Sequence, residues 1–296
     1  MFNKKILFAV LIIAVLSATV GSVVGGQDVP NTVYVSPSGN DGNIGTSDAP
    51  FKTIKKAVEA VPNGGTVFIK AGLYYAKDGN GNIKFNINKD FNIVGEDKET
   101  TIIDGSDFKN TLNERGELVR SIIFGQYIGG SNETVKIKNL TFQNQVGYSA
   151  ICIGSESTES TVENCNFING RGTFNIDGGG CAVGSKAELK VLNCSFTNNS
   201  MGLATVMLRG GHYSTVAGSS FVDNRVEDGA ALVLGEDALV SDSYFSGNIG
   251  GGDRYANDIY HCTTWGTIKL HNNVFIQSRD SSARSIWNEY GVTEYV

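Results

Sequence analysis

The sequence predicts an all-β solenoid, a stack of short parallel strands opened by one amphipathic helix. Three observations point there: a motif recurs at near-regular spacing, each copy alternates apolar and polar residues, and each copy is too short to fold alone. The clearest copy is TVENCNFIN (Thr161–Asn169). Its relatives are VKIKNLTFQN (Val135–Asn144), LKVLNCSFTN (Leu189–Asn198), STVAGSSFVDN (Ser214–Asn224), ALVSDSYFSGN (Ala238–Asn248) and TIKLHNNVFIQ (Thr267–Gln277). The shared aromatic falls at Phe142, Phe167, Phe196, Phe221, Phe245 and Phe275, giving spacings of 25, 29, 25, 24 and 30 residues by subtraction. A repeat period in the range of about 20–50 residues signals a repeat architecture.

Taken in chain order, the first segment is an export signal. Lys4 and Lys5 precede the apolar run ILFAVLIIAVLSATV, and the small residues Gly21, Ser22, Gly25 and Gly26 suit cleavage, which sets residues 1–26 apart. Ile6–Val24 is also just long enough to span a bilayer as an uncleaved anchor. Either way the folded part is expected to be secreted, extracellular or at the cell surface, with membrane contact only through that anchor. The chain has 24 basic and 30 acidic residues, net −6, and no basic patch of the kind nucleic-acid binding needs.

Residues 32–65 read as a cap. Thr32–Val35 is a short strand and SPSGNDGNIGTSD a loop. Asp48 and Pro50 mark a helix start. Phe51, Ile54, Val58 and Val61 share one helical face, and Pro62, Gly64 and Gly65 stop the helix. A helix here covers the open edge and core of the first coil. Coils follow over residues 66–296, about nine by repeat length, beginning with a strand at Thr66–Lys70. Asn110–Arg120 is a polar excursion rather than a coil.

From Val135 the repeats are regular. Val162, Cys165 or Asn164, and Phe167 alternate along one strand. A second short strand follows each aromatic: AICIG, CAVGS, ATVMLRG, AALVLG, NDIYHC and SIWNEYG. Asn139, Asn164, Asn193 and Asn272 stand three residues before the aromatic, with Gly218 and Asp242 in that place in two repeats. Asn144, Asn169, Asn198, Asn224 and Asn248 follow it. Asn tolerates the left-handed backbone that corners need, and stacked Asn side chains bond along a ladder. After Ser285–Gly291 only VTEYV remains and nothing caps that end. An open end implies a chain that continues, an end-to-end contact with a second copy, or another partner.

The repeats, together with PSGND, PFKTIKKAVEAV and GGTVFIKAGLY in the cap and DFNIVGEDKETTIIDG after it, carry a family resemblance. They resemble the right-handed parallel β-helix proteins, the pectate-lyase-like superfamily. More narrowly, the chain is similar to the secreted adhesin-like β-helix proteins of methanogenic archaea. The resemblance covers roughly residues 32–296. It implies a right-handed parallel β-helix but not one activity, because the superfamily holds lyases, hydrolases, esterases, tailspikes and adhesins.

A solenoid gathers its insertions on one lateral edge. The longest connections are Asn169–Gly180 and Gly247–Ala256, with Asp223–Gly229 between them in the stack. They bring Arg171, Arg225 and Arg254 toward Asp177, Glu227, Asp228, Asp253 and Asp258. One reading is a lyase-like site: Asp177, Asp228, Asp253 and Asp258 supply oxygens to Ca²⁺, and an arginine acts as base or oxyanion stabiliser. The other is turn-forming, solvated surface. No lyase, polygalacturonase or esterase motif matches residue by residue. Phe174, Tyr213, Tyr255 and Trp265 are candidates for stacking on sugars.

Five cysteines, at 152, 165, 181, 194 and 262, cannot all pair. Cys165 and Cys194 hold the same place in adjacent repeats, as buried small hydrophobes or as a disulfide between coils. His212, His261 and His271 are isolated and suggest no catalytic grouping. Sequons lie at Asn132, Asn139, Asn193 and Asn198, and the ladder positions of Asn139 and Asn193 argue against modification there. The function expected is a non-enzymatic, adhesin-like protein binding glycans or a neighbouring cell surface. The alternatives are a Ca²⁺-dependent lyase or glycoside hydrolase acting on acidic polysaccharide, and a structural spacer of the envelope.

Overall fold

The computed structural model describes residues 31–81, 83–84, 89–106, 124–125, 134–147, 149–153, 159–172, 181–210, 213–251, 256–263, 266–277, 284–289 and 292–295. Its strands form a parallel β-solenoid. The first sheet has ten strands, from Thr32–Val35 through Ser160–Glu163 to Val292–Tyr295. The second has eight, from Gly72–Tyr75 through Asn166–Ile168 to Val274–Ile276. The third also has eight, from Ile83–Lys84 through Ala204–Leu208 to Arg284–Asn288. A fourth strip joins Val146–Gly147, Arg171–Gly172, Ser200–Met201 and Arg225–Val226.

The aromatics that define the repeat form one internal column. Phe142, Phe167, Phe196, Phe221 and Phe245 are buried, and each pairs in register with the next. Ring centroids are 5.2, 4.8, 4.8, 4.8 and 5.0 Å apart from Phe142 to Phe275, with planes 4–14° from parallel. This is the strand spacing itself, so the backbone ladder dictates the stacking distance. Phe275, at the last step, is only partly buried.

One expectation is corrected. TVENCNFIN is not a single strand: Ser160–Glu163 belongs to the first sheet and Asn166–Ile168 to the second. Asn164 turns the chain between them at φ 51°. The same left-handed corner recurs at Asn139, Asn193, Gly218, Asp242 and Asn272. Side chains there bond from coil to coil, as in Asn164 Nδ2 to Asn139 Oδ1 at 2.9 Å and Asn272 Nδ2 to Asp242 Oδ1 at 2.7 Å.

The second corner holds Asn144, Asn169, Asn198, Asp223 and Gly247, all at positive φ. Asn224 and Asn248 therefore do not belong with the first three. They sit one residue further on and align with Asn199 in a separate, buried ladder. Asn199 Nδ2 donates to Asn224 Oδ1 at 2.9 Å, and Asn224 Nδ2 donates to Asn248 Oδ1 at 3.0 Å. Each Nδ2 also reaches a carbonyl of the coil before it: Phe167, Phe196 and Phe221.

The cap helix spans Ile54–Ala60 and buries Ile54, Ala57 and Val58 alongside Phe51 and Val61. Its start lies later than Asp48 and Pro50. Thr53 is the N-cap, accepting from Lys56 N. Asp41 fixes that threonine by accepting from the Lys52 and Thr53 amides and the Thr53 hydroxyl, each at 2.9 Å. The first coil strand is Gly65–Ile69.

Candidate functional site

The two corners that flank the third sheet carry the chemistry that is not used for packing. Along this sheet Cys152, Gly184, Met207, Val233, Tyr260 and Trp287 occupy one register row. Their neighbours Val206, Leu208, Leu232 and Leu234 fill the main core. Strand alternation therefore puts this row on the outer face. Met207, Val233 and Tyr260 are nevertheless buried, in a second apolar cluster with Cys181, Ala204, Ala230 and Ala256, against which Trp287 packs. At its C-terminal end the row turns polar. Tyr260 Oη donates to Glu289 at 2.5 Å, and the Arg284 guanidinium lies 4.3 Å from the Trp287 ring centroid.

The corner preceding this sheet carries the predicted arginines. Arg171 pairs in register with Ser200, and Ser200 with Arg225, in the fourth strip. All three are exposed. Two rungs of a parallel ladder separate the arginines, roughly 9–10 Å. Neither has a carboxylate partner among the described residues. By contrast, Lys138, Lys190 and Lys269 on the first sheet are paired with Glu163, Glu159 and Glu294 of adjacent coils. Exposed Glu227 and half-buried Asp228 follow Arg225 on the same rim.

The opposite rim was not anticipated. Lys186 and Arg209, both exposed, directly follow the paired residues Ser185 and Leu208. The charge of Arg209 opposes the burial that raises the pKa of the Cys262 thiol. Their signal was the common place after the second strand of each repeat, which only the register makes visible. Tyr213 lies on this side too, 70% exposed at φ 73°, so it does not share a rim with Arg171 and Arg225. Phe174, Asp177, Asp253, Arg254, Tyr255, Trp265 and His212 lie outside the described residues.

Asp258 is a correction. It does not stand on the exposed rim but is 2% exposed inside the solenoid. Its Oδ1 accepts from Asn248 Nδ2 at 3.0 Å, so the carboxyl terminates the buried asparagine ladder. Burial raises its pKa above the usual carboxylate range, against the opposing hydrogen bonds from Asn248 and Ser285. Among the described residues no three His, Cys, Asp or Glu side chains converge as a metal site.

All five cysteines are free thiols. Burial pushes Cys152 up to about 11 and Cys181 up to about 12, so both stay protonated. His261 is buried, with Nδ1 3.1 Å from Asn288 Oδ1, and its burial lowers its pKa. His271 is exposed on the first sheet.

Two family descriptions match this arrangement. "Pel9A-like, right handed beta helix region" covers residues 33–205, and "Right handed beta helix region" covers residues 124–295. The chain belongs to the right-handed β-helix family. Among curated relatives of this β-helix, pectate lyase PEL9 of Emericella nidulans is 36% identical over 75 residues, 25% of this chain and 15% of the relative. The uncharacterized protein YwoF of Bacillus subtilis is 37% identical over 70 residues, 24% of this chain and 14% of the relative. The chain thus spans about a seventh of the length of the curated relatives it matches. A rhamnogalacturonan lyase structure shares the fold at a TM-score of 0.52 and 17% identity, over 84% of this chain and 69% of that one.

Proposed function

We propose that this β-helix is an exported protein that binds an acidic polysaccharide lengthwise along the exposed rim of its fourth strip, beside the third sheet. The observation behind this reading is the pair Arg171 and Arg225, exposed, in register two coils apart, and without a carboxylate partner among the described residues. Lys186 and Arg209 add exposed cations at the other rim of the third sheet, one coil apart. A polyanion running along the solenoid axis meets one cationic group after another, and the ladder fixes their spacing. The relatives named for pectate and rhamnogalacturonan support a uronate-bearing ligand. The protein acts as a surface-displayed, adhesin-like binder, with Tyr213 as an aromatic contact.

The test is affinity electrophoresis in polygalacturonate and in a neutral glucan. Retardation is expected only in polygalacturonate, to weaken with salt, and to fall at least tenfold in the variant Arg171→Glu/Arg225→Glu, about 1.4 kcal/mol or more. Equal retardation of parent and variant removes this reading.

The likeness to pectate lyase PEL9 favours a second reading, in which an arginine of the same rim abstracts a proton α to the uronate carboxylate. Ca²⁺ would be held by Asp228 together with Asp177 and Asp253. Asp258 is buried and bonded to Asn248, and does not contribute. Incubation with polygalacturonate and added Ca²⁺, followed by ultraviolet absorbance of unsaturated chain ends, distinguishes turnover from binding alone.

A further inference from the structure

We infer that the last coil of the solenoid is an interaction surface for a second copy of this chain, and that two copies join end to end about a two-fold axis. Three inward-facing columns reach this end without being closed over. Phe275 follows buried Phe245, Ile286 follows buried Ile259, and Tyr295 follows buried Leu270. Phe275 and Ile286 are only partly buried, and Tyr295 is 74% exposed. Val274, Ile276 and Val292 beside them are about half exposed. Val274–Ile276, Arg284–Asn288 and Val292–Tyr295 are the edge strands of their three sheets, and among the described residues no further strand pairs with them. An edge of this kind offers a row of backbone N–H and C=O groups to another strand.

Three observations select a second copy as the occupant. The first is the opposite end, where the helix Ile54–Ala60 packs on the first strands of the first and third sheets, so a head-to-tail stack has no matching face. The second is chain direction. A two-fold axis across the solenoid, through the middle of the third sheet, reverses every strand. It lays Arg284–Asn288 antiparallel to the same strand of the second copy, and Val292–Tyr295 against Val274–Ile276 of that copy. The climb of the coil suits this arrangement. Val274–Ile276 comes first in the chain and stands lowest, Val292–Tyr295 stands highest, and Arg284–Asn288 lies between, so a low edge always meets a high one. The third is charge. Arg284 opens its strand and Glu289 directly follows it. Antiparallel pairing therefore brings the cationic end of each strand to the anionic end of the other.

The face is small. Three short strands fall below the roughly 20–30 residues a side of a standard interface. The dimer is therefore reversible and forms by mass action, and in dilute protein the three edges stay open.

The experiment sediments the full chain over a range of concentrations and reads its shape by small-angle X-ray scattering. The mass should rise from that of one chain toward twice that value, and the particle should lengthen at unchanged cross-section. Arg284→Glu and Glu289→Arg, each alone, should weaken self-association at least tenfold, because like charges then meet. An equimolar mixture of the two variants should restore it, which also shows that both are folded. Amides of Val274–Ile276 should gain hydrogen-exchange protection as concentration rises. A monomer at every concentration overturns the inference. So does a dimer that neither variant weakens, a mixture that stays monomeric, or a dimer that widens rather than lengthens.

Discussion

Phe196 and Asp258 show what a single buried side chain decides here. Phe196 stacks between Phe167 and Phe221, both at 4.8 Å, and is fully buried. Phe196→Ala should cost about 3–5 kcal/mol in urea unfolding, since the rings on either side cannot collapse into the gap without breaking the backbone register. A neutral result would mean that the column does not stabilise the stack. Asp258 makes a pH-dependent contribution. Its raised pKa means the folded chain holds a proton that the unfolded chain releases between the ordinary aspartate value and the folded one. That contribution is complete below the ordinary value and is lost as pH rises through the folded value. Asp258→Asn keeps the acceptor for Asn248 without the buried charge. The variant should therefore gain on the parent as pH rises from mild acid to neutral, measured as the difference between their melting temperatures. A constant difference across that range would rule out a titrating Asp258. Asp104 has the opposite sign. Its burial is outweighed by bonds from Ser106, Gln143 and Asn144, its pKa is lowered, and its contribution fades in acid.

The corner and ladder elements explain how much of this was legible. The aromatic column was readable because one large apolar residue per coil has no other place to go. The corners were half readable: Asn three before the aromatic was seen, but the turn it makes was not, because the Val162–Phe167 alternation continues across Asn164 as though the strand were unbroken. The inner ladder was misaligned by one position, since Asp223 and Gly247 replace Asn at the corner and leave Asn224 and Asn248 looking like corner residues. Asp258 was illegible, because NDIYHC reads as a half-polar surface strand until Asn248 is seen to need an acceptor. The arginine rim was legible from its loops, whereas Lys186 and Arg209 depend on register. The ladder has its own test. Asn224 Oδ1 accepts from the Asn199 amide and side chain, while its Nδ2 serves the Phe196 carbonyl and Asn248 Oδ1. Asn224→Ala leaves several of these buried groups unpaired and should cost about 3 kcal/mol or more. A cost below about 1 kcal/mol would mean that water replaces the ladder.

At the scale of the molecule, a stack in which each coil touches only its neighbours makes stability depend on position. The same holds for charge: net −6 does not oppose a polyanion at one rim, because screening confines each exposed charge to about 8 Å at physiological salt. Identical residues should therefore differ in worth along the column. Phe196 has a ring on each side, whereas Phe275 contacts Phe245 at 5.0 Å and is only partly buried. Its strand, Val274–Ile276, lies at the edge of the second sheet, with Val274 and Ile276 about half exposed. Phe275→Ala loses one stacking face and little cavity, roughly 1–2 kcal/mol against the larger cost at Phe196. Native-state hydrogen exchange should show the same gradient. Amides of Ser195–Thr197 and Ser220–Val222 should exchange only with the largest openings, and those of Val274–Ile276 through smaller ones. Equal costs at the two phenylalanines, with uniform protection, would show that the solenoid opens all at once and that the nearest-neighbour description fails.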